Sequence, residues 1–302
     1  MALEANAYTR TNAATDGVVP NLYDEVAEKY LYEAEVLRPL GIDKSGMILN
    51  KPGKSFQVFK ETAFSVSQLT EGTDTPVSAL DFDSITLTVN WYGDAKQISK
   101  ENLSEVFDFV WDDIRYGAAN ALAVNRDNVI MSELLNTTSS AIYPISSGST
   151  RYTSADITAD ATLTYEQITE AWRRMRLNHR MIKAVIVHPN QMKSLMNDDK
   201  FINEDYKAAG RIKGSIGRVM VGNPNGIAII PHTSVQSVTE NSVTVYQAIA
   251  LGDRAFIYAQ KVNPVFEFDD EYKRKRAITF HYYEAFGVKI LHDEAVIPIK
   301  SA

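Results

Sequence analysis

Residues 84–103 read SITLTVNWYGDAKQISKENL, and the reading of the fold starts from them. Ile85, Leu87, Val89 and Trp91 alternate with Thr86, Thr88 and Asn90. That period of two predicts an antiparallel strand with one face buried and one wet. At Ser99 the texture changes. Its hydroxyl can cap a helix N-terminus, and Glu101 and Glu105 stand where the positive end of a helix dipole favours carboxylates. Beyond them Val110, Ile114, Ala118, Ala121, Leu122, Ile130 and Leu134 keep near-helical spacing with no proline. The pattern predicts a helix of ~30 residues, ~45 Å long, with a short break near Leu103 and an apolar face interrupted at Asn125 and Arg126.

Upstream, residues 54–60 (KSFQVFK) form a second candidate strand, and residues 61–83 between the two are rich in Thr, Ser, Gly and Pro. Together they predict a long hairpin with a polar tip, and excursions of this length usually reach partners. Before it, Leu22, Val26, Tyr30 and Leu37 fall near helical spacing until Pro39 and Gly41 end the run. The opening residues, 1–17, are polar and read as an arm that orders against a neighbour.

Downstream of a Ser/Thr-rich link (residues 136–158) the pattern becomes α/β. Residues 164–178 predict an amphipathic helix with Ile168, Trp172 and Met175 inward and a Glu170–Arg174 pair outward. Ala184 to Val187 predict a buried strand, and Pro189 suits the first turn of the helix after it. Residues 218–232 predict two short strands around an Asn-Pro-Asn-Gly turn, and residues 241–260 and 276–299 predict a β-rich tail in which Ile278, Phe280 and Tyr282 alternate.

Composition narrows the function. The 302 residues carry a formal charge of -7, from 31 basic and 38 acidic side chains. A chain that wraps nucleic acid shows a basic surplus, so tight DNA binding is not expected, whereas enclosing DNA is compatible with a weakly repelling wall. No cysteine is present, which excludes disulfides, thiolate catalysis and Cys-based zinc sites and fits a reducing cytoplasm. No apolar run approaches the ~20 residues needed to span a bilayer. The N-terminal stretch lacks a basic head followed by an apolar run, so no secretory signal is expected.

Candidate chemistry is sparse. The five histidines, at 179, 188, 232, 281 and 292, form no His-x-His or His-x-x-x-His pair, so no metal site is predicted. His188 before Pro189 is read as a packed or capping imidazole in preference to a catalytic one. Gly53-Lys54-Ser55 matches the end of a phosphate-binding loop, but Ile48 stands where the first glycine is needed, so a turn into a strand is preferred. Residues 210–217 (GRIKGSIG) are read as a flexible loop, with phosphate binding as the alternative. Residues 267–276 (EFDDEYKRKR) and 173–180 (RRMRLNHR) are read first as solvated or salt-bridged faces, with cation binding by the acids and DNA contact by the bases as alternatives for the former. No catalytic, cofactor-binding or metal-ligating residue is assigned, and the chain is not expected to be an enzyme.

The order of elements and several local textures resemble the tailed-bacteriophage major capsid protein family, whose shared architecture is often called the Johnson fold. Residues 68–76 (QLTEGTDTP) resemble the tip of that family's extended E-loop, and residues 84–103 its returning strands and the Ile-Ser-x-Glu-x-Leu start of its spine helix. Residues 168–176 with 184–198 are similar to its axial-domain helix-strand-helix passage, residues 250–258 (ALGDRAFIY) to its return to the peripheral domain, and residues 292–299 (HDEAVIPI) to its closing strand, with Ile297 and Ile299 departing from the usual ending.

The resemblance covers residue 20 to the C-terminus and implies an α+β chain with four parts. These are an N-terminal arm and short helix (1–48), an E-loop β-hairpin (49–98), a peripheral domain with the long spine helix (99–158 and 255–302) and an axial domain (159–254). It implies a shell subunit that self-assembles into pentamers and hexamers of an icosahedral virion capsid around double-stranded DNA, without sequence-specific binding, built in the bacterial host cytoplasm and touching no membrane. Portal and decoration proteins are further partners it implies. The stretch before the hairpin is short for a family whose members often carry a removable scaffolding segment, and with Met1 present this favours a separate scaffolding protein. Some relatives join subunits by a Lys–Asn isopeptide bond; Lys54 and Lys60 lie in the hairpin, but no motif marks either as reactive. An encapsulin-type nanocompartment shell, which has the same fold, is the alternative function.

Overall fold

The alternating run at residues 84–99 forms two strands that belong to different sheets. The computed structural model describes residues 36–49, 51–61, 68, 82–99, 109–145, 151–197, 221–222, 227–270 and 277–302. In chain order the elements are β1 (Ile42–Asp43), β2 (Ser55–Glu61), β3 (Phe82–Thr88), β4 (Asn90–Ser99), α1 (Phe109–Leu134), α2 (Tyr165–Leu177), β5 (Ile182–Val187) and α3 (Pro189–Met196). They are followed by β6 (Val221–Gly222), β7 (Ala228–Pro231), β8 (Ser237–Glu240), β9 (Val243–Gly252), β10 (Phe256–Asp270), β11 (Ala277–Ile290) and β12 (Val296–Ser301).

Strand β3 pairs antiparallel with β2 as the predicted hairpin, Ser55 opposite Thr88 and Glu61 opposite Phe82. Strand β4 instead pairs with β11, Asn90 opposite Phe286 and Ser99 opposite Ala277. Val89 is the switch: its side chain is buried and its N–H bonds to the Lys54 carbonyl at 2.9 Å. Ile85, Leu87 and Val89 point inward as the alternation predicts, but the phase is lost where the partner changes, and Trp91 is 62% exposed.

The main sheets are a four-stranded one, ordered β1-β10-β11-β4, and a six-stranded one, ordered β12-β9-β5-β7-β6 with β8 beside β9. Strands β10 and β11 run together from Phe256–Ile290 to Asp270–Ile278, with register shifts between Gln260 and Val265. Pro264 lies in that irregular stretch, as expected of a residue that cannot donate to the ladder. In the second sheet β5 and β7 are parallel and β9 is antiparallel to β5, β8 and β12. The closing strand β12 therefore joins the α/β part of the chain, although the segment before it, β10–β11, builds the other sheet.

Helix α1 has 26 residues, about 39 Å at 1.5 Å per residue. Ser99 ends β4, opposite Ala277 of β11, and the helix start expected after it falls outside the described residues. One expectation about α1 changes. Asn125 and Arg126 do not weaken the helix, since Arg126 is buried against a charged partner. Glu101, Leu103 and Glu105 lie outside the described residues, as do the arm, most of the hairpin tip, residues 210–217, 223–226 and 271–276.

Helix α2 matches its prediction apart from Trp172. Ile168, Ala171 and Met175 form the buried stripe, while Trp172 sits on its flank with the Arg176 guanidinium 5.7 Å from its ring centre. Glu170 pairs outward with Arg174 at 3.0 Å and with Arg173 at 2.7 Å. Helices α2 and α3 cover one face of the six-stranded sheet over Val185, Val187, Ile229, Ala248, Ala250 and Ile297. The other face shares a core with α1 and the four-stranded sheet: Ile186, Ile249 and Leu251 meet Ile130, Met131 and Leu134 and the rings of Phe256, Tyr258 and Phe286. A third cluster, Leu87, Val89, Ile257 and Ala285, seats the hairpin base on the four-stranded sheet.

Candidate functional site

Two of the titratable positions that the sequence singled out, His188 and Lys54, take structural roles. His188 is the N-cap of α3: its Nδ1 accepts from the Asn190 N–H at 3.2 Å, and its ring stacks on Tyr246 with centres 4.1 Å apart. Burial lowers its pKa, which favours the neutral ring that capping requires. Gln191 completes the cap by accepting from the His188 N–H at 3.0 Å and donating to Ser301 Oγ at 2.8 Å. Gly53 adopts φ +106 in the turn into β2, and Lys261 Nζ bonds its carbonyl. Lys54 thus stands at a hairpin base and not over a phosphate cradle. In residues 267–276 the one described contact of the acids is Glu267 Oε1 accepting from Tyr283 Oη at 3.1 Å. Among the described residues no three His, Asp or Glu side chains are placed to hold a metal ion, and no helix is long and apolar enough to cross a membrane.

The strongest electrostatic feature was not anticipated. One turn of α1 carries Arg126 and Asp127, both buried. Arg126 pairs with Glu284 of β11, whose side chain is 0% exposed. Asp127, 1% exposed, accepts from the Val36 N–H at 3.1 Å and the Leu37 N–H at 3.2 Å, and its Oδ2 lies 3.0 Å from His232 Nε2. A charged pair inside an otherwise apolar helical stripe was the available signal; it reads as an interruption until the fold supplies partners.

Exposed apolar side chains mark the other candidate surfaces. Phe59 on the hairpin is 67% exposed, Trp91 stands beside Tyr283 with ring centres 5.8 Å apart, and Phe266 and Phe268 flank Phe280 at the far end of the four-stranded sheet. Leu177 and Met181 project where α2 ends, next to Arg173 and Arg176. Patches of this kind mark contact surfaces more often than isolated exposed residues do. A cleft of about 440 Å³ separates the hairpin from the body, lined by Lys60, Asp83, Glu133, Lys289 and Asp293. Lys289 is already paired with Glu133 at 2.8 Å, and Asp293 accepts from Thr137 and Thr138 at 3.1 Å. These groups hold the walls in place and do not converge on a reacting atom.

The model of a family described as phage capsid protein matches residues 83–299. No curated protein matches the chain. Among solved structures, the capsid of cyanophage P-SCSP1u is similar with a TM-score of 0.69 at 16% identity, over 92% of this chain and 91% of that one. Mycobacterium phage Che8 gives 0.68 at 16% identity, over 92% and 94%, and the head of Helicobacter pylori bacteriophage KHP40 gives 0.64 at 14%, over 93% and 95%. At these identities the likeness is one of fold, and the fold is the α+β capsid architecture that the sequence led us to expect. The family match runs from the returning hairpin strand through the long helix and both sheets to the closing strand, and the chain belongs to the phage capsid protein family.

Proposed function

We propose that this chain is the major capsid protein of a tailed phage, a shell subunit that assembles with copies of itself and performs no catalysis. The observation that carries the reading is the combination of the family match over residues 83–299 with a two-sheet body that leaves a hairpin standing off it, bearing Phe59 exposed. A hairpin without a core of its own gains stability by lying on a neighbour. Contacts of this head-to-tail kind close into rings, and pentamers and hexamers so formed would build an icosahedral shell around double-stranded DNA. The acidic balance of -7 suits a wall that encloses DNA without gripping it.

In this reading residues 1–48 are the arm, 49–98 the E-loop, 99–158 with 255–302 the peripheral domain and 159–254 the axial domain. The closing strand is the exception to that division: β12 pairs with β9, so we place residues 296–301 on the axial sheet. A separate scaffolding protein, a portal and decoration proteins are the partners proposed, with assembly in the bacterial cytoplasm and residence in the virion. The three similar structures described above come from phages, and no observation favours the encapsulin alternative.

Expression of the full chain, alone and with a scaffolding protein encoded beside it, followed by negative-stain electron microscopy, tests the proposal. Closed shells, rings or tubes are expected. A monomer under both conditions would overturn it, and shells filled with a cargo enzyme and no nucleic acid would move the reading to the nanocompartment class.

A further inference from the structure

We infer that the C-terminal end of α2 is a docking face for residues 21–35 of a second copy of this chain, an inference that rests on the self-assembly reading above. Residues 173–183 carry five basic side chains and no acidic one, in a chain whose net charge is -7. Apolar side chains stand exposed among them: Leu177 is 65% exposed and Met181 59%. Glu170 is held by Arg173 and Arg174, whereas Arg176 lies over the Trp172 ring and has no acidic partner among the described residues. Beside Leu177 a groove of about 240 Å³ is lined by Ser140, Arg174, Asn178, Glu294 and Ile297. Its wall is fixed, since Arg174 donates to the Ser140 carbonyl at 3.1 Å. An apolar strip with a groove beside it and arginines at its rim suits an amphipathic helix with an acidic flank.

Residues 21–35 (NLYDEVAEKYLYEAE) have that chemistry, with five acidic side chains against one lysine. At 100° per residue, Leu22, Val26, Tyr30, Tyr23 and Leu31 share one half of a helical wheel. Asp24, Glu25, Glu28 and Glu35 gather in the other half, and Lys29 and Glu33 stand at the edge.

The course of the chain assigns the segment to a neighbour. Leu37 packs with Ile186 on the α1 face of the six-stranded sheet, whereas α2 covers the opposite face over Val185 and Val187. From Leu37 the chain runs toward the start of β5, where Lys183 Nζ donates to the Leu40 carbonyl at 3.2 Å. That start is also the end at which α2 stops. Residues before Val36 therefore set out from the wrong face of the sheet and the wrong end of β5 to lie on their own α2. A second copy offers the same acidic segment without that detour.

Photocrosslinking of the full chain identifies the occupant. Leu177 is replaced by p-benzoylphenylalanine, and particles are assembled from equal amounts of ordinary and 15N-labelled chain. Links to residues 21–35, many of them joining one isotope to the other, are expected. Links to that segment within single chains only, links to a different surface, or particles with no link would each overturn the inference. Wild-type chain that stays monomeric with and without a scaffolding protein would instead overturn the assembly reading, and this contact with it. Charge reversal measures what the contact contributes. Arg176→Glu should raise the concentration needed for assembly about tenfold, because it sets like charges together. Adding Glu25→Lys and Glu28→Lys should bring it back to within about threefold of wild type. No rise, or a rise that the arm reversal leaves in place, would overturn the pairing. Thermal unfolding of Arg176→Glu separates assembly from folding, and should that variant unfold early the photocrosslink decides alone.

Discussion

The Arg126 guanidinium holds the Glu284 carboxylate with Nε 2.9 Å from Oε1 and 2.7 Å from Oε2, and with Nη2 2.5 Å from Oε2. The pair bolts the long helix to the middle of β11, where Glu284 lies opposite Tyr92 of β4. Two charges taken from water gain little over well-packed apolar residues, but one left without its partner is costly. Arg126→Ala should therefore destabilise the chain by about 3–5 kcal/mol, and the double variant Arg126→Met, Glu284→Leu by much less. Denaturant unfolding of both decides the matter, and equal losses would show that the pair is not what the site depends on.

Gly287 sets how closely the hairpin can approach the body. A Cβ there would stand 2.3 Å from the Thr88 carbonyl oxygen and 2.7 Å from Leu87 Cδ2. The oxygen belongs to backbone and cannot rotate away. Gly287→Ala should cost about 1–3 kcal/mol, the range for overpacking, and the loss should be local. Faster amide exchange in β2 and β3 with unchanged exchange in β5 is the expected result; a uniform change would point to the whole fold.

Two groups give the stability separate acid limbs. Burial, reinforced by Arg180 and Lys60, pushes the His292 imidazole from 6.5 down to about 4. The fold thus favours the neutral ring, so this contribution is complete above pH 6.5 and is lost as the pH falls toward about 4. Glu170, bonded by Arg173 and Arg174, is held from 4.5 down to about 2. Its contribution is present above pH 4.5 and is lost as the pH falls toward about 2. Denaturation midpoints measured against pH should lose the upper slope in His292→Asn and the lower slope in Glu170→Gln. An unchanged upper slope in His292→Asn would assign that limb to other groups.

The legible parts of this fold are those where one local rule decides the outcome. Strict alternation placed Ile85, Leu87 and Val89 correctly, Pro189 marked the start of α3, and Glu170 found Arg174 across one helical turn. Reading failed where a distant partner overrules the local pattern. Trp91 continues an alternation whose strand has changed sheets. Arg126 and Asp127 look like a flaw in an apolar stripe because Glu284 and His232 lie more than a hundred residues away. Family resemblance reached the fold through the order of weak motifs, but it said nothing of the Arg126–Glu284 pair, which belongs to the particular side chains.

Trp91 separates stability from assembly. Its ring is 62% exposed and touches Tyr283 at the edge of the four-stranded sheet, so removing it takes little from the fold of one chain. Trp91→Ala should change unfolding free energy by no more than about 0.5 kcal/mol, as surface substitutions usually do. If the surface is covered by a neighbouring copy, the same change removes a buried aromatic anchor and should raise the concentration needed for assembly about tenfold or more. Light scattering across a concentration series, with thermal unfolding of the same samples, reads both quantities. Wild-type assembly by Trp91→Ala would remove this face from the contacts between copies and leave Phe59 on the hairpin as the next position to test.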